Sequence, residues 1–254
     1  MSADALASRS TSPARSLAAV EPAQRTAAKA AGFLFLFNYA ACVFGQLTPS
    51  MIKGSGDFAE RAQRALASEH LYRSALVGMT IAWASIVLLS FALFVALEPV
   101  NRRLAQLALF FRLGEAFVGA VTVIVSFAVL RLYAAAGGVG PFQNEQVHEL
   151  AKVAASVYDS GFLIAMMLLS PGSFLFFYLF YKSRYIPRAL ALLGVFGTVL
   201  FTLVNVGLLV FPEYAGTLQY GWGPMGVAEI ATALWLLIGG IRPAPVLAGG
   251  VVHA

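Results

Sequence analysis

The sequence is poor in charged residues and has a single cysteine. Asp, Glu, Lys and Arg make up 11% of its 254 residues, whereas soluble domains carry roughly 25%. Hydrophobic residues make up 59%, and the mean hydropathy is +0.79. Because Cys42 is the only cysteine, an intramolecular disulfide and a cysteine metal cluster are excluded. The composition therefore excludes a water-soluble globule and indicates a membrane protein.

The sequence also lacks the short motifs that carry common enzyme chemistry. It contains no HExxH, no GxSxG and no glycine-rich phosphate loop. No catalytic residue and no cofactor is therefore predicted. The net charge of +5 comes from basic residues scattered at the ends of apolar segments, without a basic patch interleaved with aromatics. Nucleic acid is accordingly not a predicted partner.

Long apolar runs, rich in Leu, Val, Ala and Phe, are the main feature that the sequence does have. Runs of about 20 such residues are typical of helices that cross a bilayer. They predict an all-α bundle of six transmembrane helices over residues 29–242, between a disordered basic tail (1–28) and a short C-terminal tail (243–254). The predicted spans are residues 30–48, 71–97, 105–134, 151–181, 189–211 and 225–241.

The distribution of basic residues predicts the orientation of the bundle. Lys and Arg concentrate in the N-terminal tail and in the second and fourth turns, as at Arg102, Arg103 and Lys182. By the positive-inside rule, both termini are expected in the cytoplasm. The expected location is a cell membrane, crossed several times, with membrane lipid as a partner. In the first external connection, Asp57 followed by Glu60 predicts a capped, short interfacial helix.

The third predicted span contains two charged residues in an otherwise apolar run. On a helix, Arg112, Glu115, Gly119, Thr122 and Ser126 share one face, because they are three or four residues apart. A charged side chain near the bilayer centre costs at least ~2.5–3.5 kcal/mol, so this face is expected to point into the bundle. The spacing of Arg112 and Glu115 also allows an ion pair within the helix.

Further polar residues lie in other spans, and acids outnumber bases. Asp159, Asn205 and Glu229 are predicted at outer levels of spans four, five and six, while Arg112 can neutralise only one carboxylate, most readily Glu115. The other acids must then be hydrated, protonated or bound to a cation. We therefore expect a polar intramembrane cavity, lined by these acids and Asn205, that binds or moves a small solute, cation or proton.

An alternative interpretation assigns no ligand to these residues. Asp159 and Glu229 would be shallow enough to be hydrated and would cap or bridge helices, while Arg112 and Glu115 would only specify helix packing. The protein would then be a non-catalytic structural or regulatory membrane subunit.

Two histidines are the weak candidates for a metal site. His70 and His148 both lie at the outer ends of predicted spans, so a bis-histidine haem or metal site is geometrically conceivable. Two histidines at the membrane interface explain the same pattern without a metal. No metal site is therefore predicted.

Several sequence runs resemble one family of membrane proteins. They are NRRLA (101–105), FRLGEA (111–116), YDSGF (158–162), YKSRYIPR (181–188) and the last-helix run 228–237. Together they resemble the bacterial family catalogued as domain of unknown function 4386, over about residues 30–241. The resemblance implies a six-span integral protein of the bacterial inner membrane, with no established activity and no catalytic residue to transfer. Family members often carry a histidine shortly before the Asp159 position, whereas here the nearest upstream is His148.

Overall fold

The computed structural model describes residues 20–136 and 144–242, and within them the chain is helical, without a strand. Two 3-10 turns, Pro212–Tyr214 and Gln219–Trp222, flank the short helix α7, Ala215–Leu218. The other helices are α1 (Pro22–Lys53), α2 (Phe58–Ala67), α3 (Glu69–Leu97), α4 (Arg102–Ala136), α5 (Asn144–Ser183), α6 (Arg188–Val210) and α8 (Gly223–Ile238). The predicted C-terminal tail and most of the predicted N-terminal tail lie outside the described residues.

The long helices form a closed ring. Each of α1, α3, α4, α5, α6 and α8 packs on the next long helix in the chain, and α8 packs back on α1. Short connections between consecutive helices make neighbours antiparallel. Six helical segments, the last counted from Pro212 to Ile238, are long and apolar enough to cross a membrane. The prediction of an all-α bundle with six transmembrane helices is thus confirmed, and the ring leaves a central axis that side chains must fill.

Helix α1 begins earlier than the sequence pattern predicts, inside the segment assigned to the tail. Pro22 occupies its first turn, and the Glu21 amide donates to Gln24 Oε1 at 3.1 Å. Gln24 is buried, and its Nε2 donates to the carbonyl of Ala96 at 3.2 Å and to Tyr185 Oη at 3.3 Å. These contacts with α3 and with the connection before α6 stabilise the first turn of α1, whose sequence is polar and does not by itself indicate a membrane span.

Helix α2 lies at the end of the ring opposite to the start of α1. Its N-cap is Asp57, whose Oδ1 accepts from the Glu60 amide at 2.8 Å, as the spacing predicts. At its first residue, the Phe58 ring stacks on His148 of α5, with centroids 4.7 Å apart, and tilts against Tyr133 of α4 at 5.4 Å. The helix is thereby fixed beside the ends of α4 and α5.

Close helix contacts in the ring depend on small residues. A Cβ placed on Gly32 of α1 would lie 2.7 Å from the Ala233 carbonyl oxygen and the Leu237 nitrogen of α8. A Cβ on Gly119 of α4 would overlap the indole of Trp83 on α3. Such positions let neighbouring backbones approach, which is the usual means of association between helices in lipid.

Candidate functional site

An ion pair lies at the centre of the ring. Arg112 and Glu115 of α4 are 3% and 1% exposed, and Arg112 Nη1 lies 2.8 Å from Glu115 Oε2. The same nitrogen donates to Ser173 Oγ of α5 at 3.3 Å. The face of α4 that carries the charges therefore points into the ring, where each charge partly compensates the other.

A second acid reaches the same centre from the opposite side of the ring. Glu229 of α8 is 8% exposed, and its Oε2 accepts from Tyr39 Oη of α1 at 2.6 Å. Glu229 interacts electrostatically with both Arg112 and Glu115. Within the described part of the chain, however, no basic nitrogen lies within 4.0 Å of its carboxylate, because Arg112 is paired with Glu115. We call Arg112, Glu115, Glu229 and Tyr39 the central cluster.

The central cluster borders a small cavity whose polar atoms are incompletely paired. The cavity measures about 10 Å³ and is lined by Arg112, Ser173, Thr232 and apolar side chains of α1, α3 and α5. Across residues 20–136 and 144–242, Arg112 Nε, Thr232 Oγ1 and Glu115 Oε1 lack a hydrogen-bond partner, and Glu115 Oε2 has only its ion-pair contact with Arg112. A cavity of this size can hold about one water molecule where polar partners line it.

A much larger cavity opens at the end of the ring near α2. It measures about 600 Å³ and lies between the last turns of α1 and α4 and the first turns of α3 and α5, with the start of α2 in its wall. Its charged lining residues are Lys53, Asp57, Arg61, Lys152 and Asp159. Its lining also includes the aromatic residues Phe58, Tyr72, Tyr133, His148 and Tyr158. We call this space the end cavity.

Three of the five charged side chains that line the end cavity already contact nearby groups of the protein. The carboxylate of Asp57 caps α2, Arg61 Nε donates to the Gly56 carbonyl at 2.8 Å, and Lys152 pairs with Glu149 at 2.8 Å. Lys53 and Asp159 interact electrostatically, but no ion pair within 4.0 Å joins either to a described residue.

A layer of aromatic rings lies between the end cavity and the central cluster. Phe162, one turn below Asp159 on α5, has its ring centroid 6.4 Å from Trp83, 6.5 Å from Tyr158 and 6.3 Å from Trp222. Trp83 packs on Gly119, one turn from Glu115 along α4. We call Trp83, Tyr158, Phe162 and Trp222 the aromatic layer.

The residues singled out in the sequence therefore fall at three places. Glu115 and Glu229 join Arg112 in the central cluster, whereas Asp159 is exposed in the end cavity. Asn205 of α6 is fully buried, donates from Nδ2 to the Phe201 carbonyl at 2.7 Å, and lines neither cavity. Neither of the two cavities described above is lined by all of these acids and Asn205.

The two histidines differ in position. His148 lines the end cavity and stacks on Phe58, whereas His70 is exposed in the first turn of α3 and lies outside that lining. Over the described ranges, no group of three or more His, Cys, Asp or Glu side chains is arranged to hold a metal ion.

Sequence reasoning did not single out Tyr39 or Lys53 as site residues. A tyrosine hydroxyl inside an apolar span can indicate a polar contact within the bundle, but the partner of Tyr39, Glu229, is 190 residues away in the sequence. Lys53 at the end of its helix has the sequence signature of an ordinary flanking charge. In the structure, α2 packs on the ends of α1 and α4, and Lys53 lies beside it in the wall of the end cavity.

Six apolar helices closed around buried charges define a multi-pass membrane protein. The family described as Domain of unknown function (DUF4386) matches residues 30–240. Because the match spans most of the chain, the protein belongs to this family, as the sequence resemblance implies. Neither the curated proteins nor the solved structures gave a match.

Proposed function

We propose that the protein binds a small solute carrying an anionic group in the end cavity. The observation that carries the proposal is the position of Lys53, which is half-buried in the wall of a 600 Å³ cavity with no carboxylate of the described residues within 4.0 Å. An ammonium group in this position is available to a ligand.

The size and lining of the end cavity suit such a ligand. Small-molecule sites usually measure about 300–1,000 Å³ and combine apolar and aromatic walls with a few polar groups. Here Leu76, Met79 and Val123 supply apolar wall, while Tyr72 and Tyr158 supply rings with hydroxyl groups. The solute is therefore expected to carry an apolar or aromatic body beside its charge.

The charge balance of the lining favours an anion over a cation. Lys152 is paired with Glu149, so Lys53 and Arg61 face the two acids Asp57 and Asp159, and the carboxylate of Asp57 is engaged as a helix cap. Asp159 remains available to an ammonium or hydroxyl group of the same solute. A zwitterion with the anionic end at Lys53 satisfies both charges.

Matched probes test this proposal. Purified protein in phosphatidylcholine nanodiscs is examined by saturation-transfer NMR with benzoate, benzyl alcohol and benzylammonium, which share a ring and differ in charge. We expect benzoate to give the strongest saturation transfer. Lys53→Gln should reduce the benzoate signal several-fold, because its counter-charge is lost.

Lys29→Gln is the control, because Lys29 is exposed on the same helix at the opposite end of the ring. Its benzoate signal should equal that of the unaltered protein. Equal signals from all three probes, no signal from any of them, or a benzoate signal that survives Lys53→Gln would overturn the proposal.

A second candidate function concerns the central cluster alone. The Arg112–Glu115 pair is fully enclosed and is separated from the end cavity by the aromatic layer. This enclosure favours the structural alternative, in which the pair fixes the rotation of α4 in a non-catalytic subunit. Its test is the mutant cycle described in the Discussion.

A further inference from the structure

We infer that Glu229 is a proton-binding site at the centre of the ring, holding a proton on Oε1 while Oε2 accepts from Tyr39. The inference is independent of the solute site, because it depends on the central cluster, which the aromatic layer separates from the end cavity.

Acidic groups outnumber basic groups in the central cluster. It contains one guanidinium and two carboxyl groups, and the distance of 2.8 Å assigns the guanidinium to Glu115. Glu229 has no basic nitrogen within 4.0 Å in the part of the chain that the structure describes. A buried carboxylate without a counter-charge is strongly disfavoured, and protonation removes the charge.

Ionisable groups face Glu229 from two neighbouring helices. Helix α1 contributes Tyr39 and Cys42, and α4 contributes Arg112 and Glu115. None of these groups except Arg112 can supply a positive charge.

The other neighbours of α8 leave this balance unchanged. On α6 the only ionisable residue is Arg188, in the first turn and over the Tyr181 ring at 5.5 Å. The adjoining 3-10 turn, Gln219–Trp222, carries Tyr220, which is exposed. Among the residues that the structure describes, the one positive charge near Glu229 therefore belongs to the pair on α4.

The two carboxyl oxygens of Glu229 differ in their contacts. The Tyr39 hydroxyl donates to Glu229 Oε2 at 2.6 Å, so this oxygen acts as an acceptor. The carbonyl oxygen is the stronger acceptor of a neutral carboxyl group, so with Tyr39 as the donor we place the proton on Oε1. The hydrogen bond from Tyr39 thus orients the neutral carboxyl group of Glu229, and this group keeps its own proton.

Infrared difference spectroscopy tests the inference directly. Spectra of the full chain in phosphatidylcholine nanodiscs at neutral pH are compared with those of Glu229→Gln. We expect a carbonyl band of a protonated carboxyl group in the unaltered protein, lost completely in Glu229→Gln. Glu98→Gln is the control, because Glu98 forms an ion pair with Arg102 outside the ring, and it should retain the band.

A second variant keeps the test decisive if Glu229→Gln does not fold. Tyr39→Phe preserves the ring and removes the hydrogen bond to the carbonyl oxygen, so the same band should move to higher frequency. The inference is overturned if the unaltered protein lacks the band at neutral pH, if the band persists in Glu229→Gln, or if Tyr39→Phe leaves its frequency unchanged.

Discussion

At the scale of single residues, Arg112 joins two helices through one nitrogen. Its Nη1 contacts Glu115 on its own helix and Ser173 on α5. A Cβ on Gly172 would lie 2.9 Å from Arg112 Cγ, so the stem of the arginine also packs closely on α5. Arg112 therefore contributes packing as well as charge, and its removal affects both.

A mutant cycle separates these contributions. Arg112→Ala leaves the buried Glu115 without its counter-charge, and breaking a buried pair in this way costs about 3–5 kcal/mol. We expect a lower midpoint of thermal unfolding in detergent, with Arg112→Ala/Glu115→Ala losing less than the sum of the single variants.

The exposed Arg25→Ala serves as the reference for this cycle, because Arg25 lies on the outer surface of the first turn of α1. It should unfold at the midpoint of the unaltered protein. Additive losses in the double variant would show that the two charges do not stabilise each other.

At the scale of helices, contacts between backbones set the spacing of the ring. Gly32 lies where α1 meets α8, and the atoms that a Cβ would meet belong to the backbone of α8. A backbone cannot rotate away as a side chain does, so the two helices must separate to admit even a methyl group.

Gly32→Ala is therefore expected to destabilise the bundle by about 1–3 kcal/mol, the usual cost of overpacking. Thermal unfolding in detergent measures it. Gly223→Ala is the matched control, because a Cβ at Gly223 meets no atom within 4 Å. If both variants unfold at the same temperature, the α1–α8 contact is not as close as described.

The cap of α2 supports a prediction about the wall of the end cavity. Asp57→Ala removes the acceptor of the Glu60 amide, and loss of such a cap costs about 1 kcal/mol of helix stability. Hydrogen exchange of the α2 amides should accelerate about fivefold, whereas Asp57→Ser, which keeps an acceptor, should exchange nearly as the unaltered protein does. Unchanged exchange in Asp57→Ala would mean that packing alone holds α2.

The sequence predicts those features of the helices that depend on neighbouring residues, and it does not predict those that depend on contacts between distant segments. The apolar runs predict six spans because each spanning helix must by itself be long and apolar enough to cross the hydrocarbon core. The sequence pattern does not predict the first turns of α1. The buried Gln24 donates there to Ala96 and Tyr185, which are distant in the sequence. Likewise the Arg112–Glu115 pair follows from local spacing, whereas the Tyr39–Glu229 contact needs the closure of the ring.

At the scale of the whole molecule, the central cluster and the end cavity lie at different depths of one ring. The end cavity opens beside α2, at the end of the ring opposite to Pro22 at the start of α1. If the termini are cytoplasmic, as the basic residues predict, a solute enters from outside the cell.

Cysteine labelling tests this orientation. Glu149→Cys and Lys182→Cys are made separately in a Cys42→Ala background, which removes the single native thiol. Both side chains are exposed, near opposite ends of α5. In intact cells, a membrane-impermeant maleimide should label Glu149→Cys and leave Lys182→Cys unlabelled until the membrane is opened. The reverse pattern would place the termini outside.

The position of the aromatic layer bears on whether a solute can cross the helix ring. Of the aromatic layer, only Tyr158 lines the end cavity, and Trp83 and Phe162 lie one turn deeper than the lining residues Met79 and Asp159. In the conformation described, the proposed solute beside Lys53 is therefore expected to leave through the opening by which it entered. Liposomes containing the protein should therefore retain a salt gradient as well as empty ones do. In this state the proposed solute site would be reached from one end of the ring, and the bound solute would not cross the bundle.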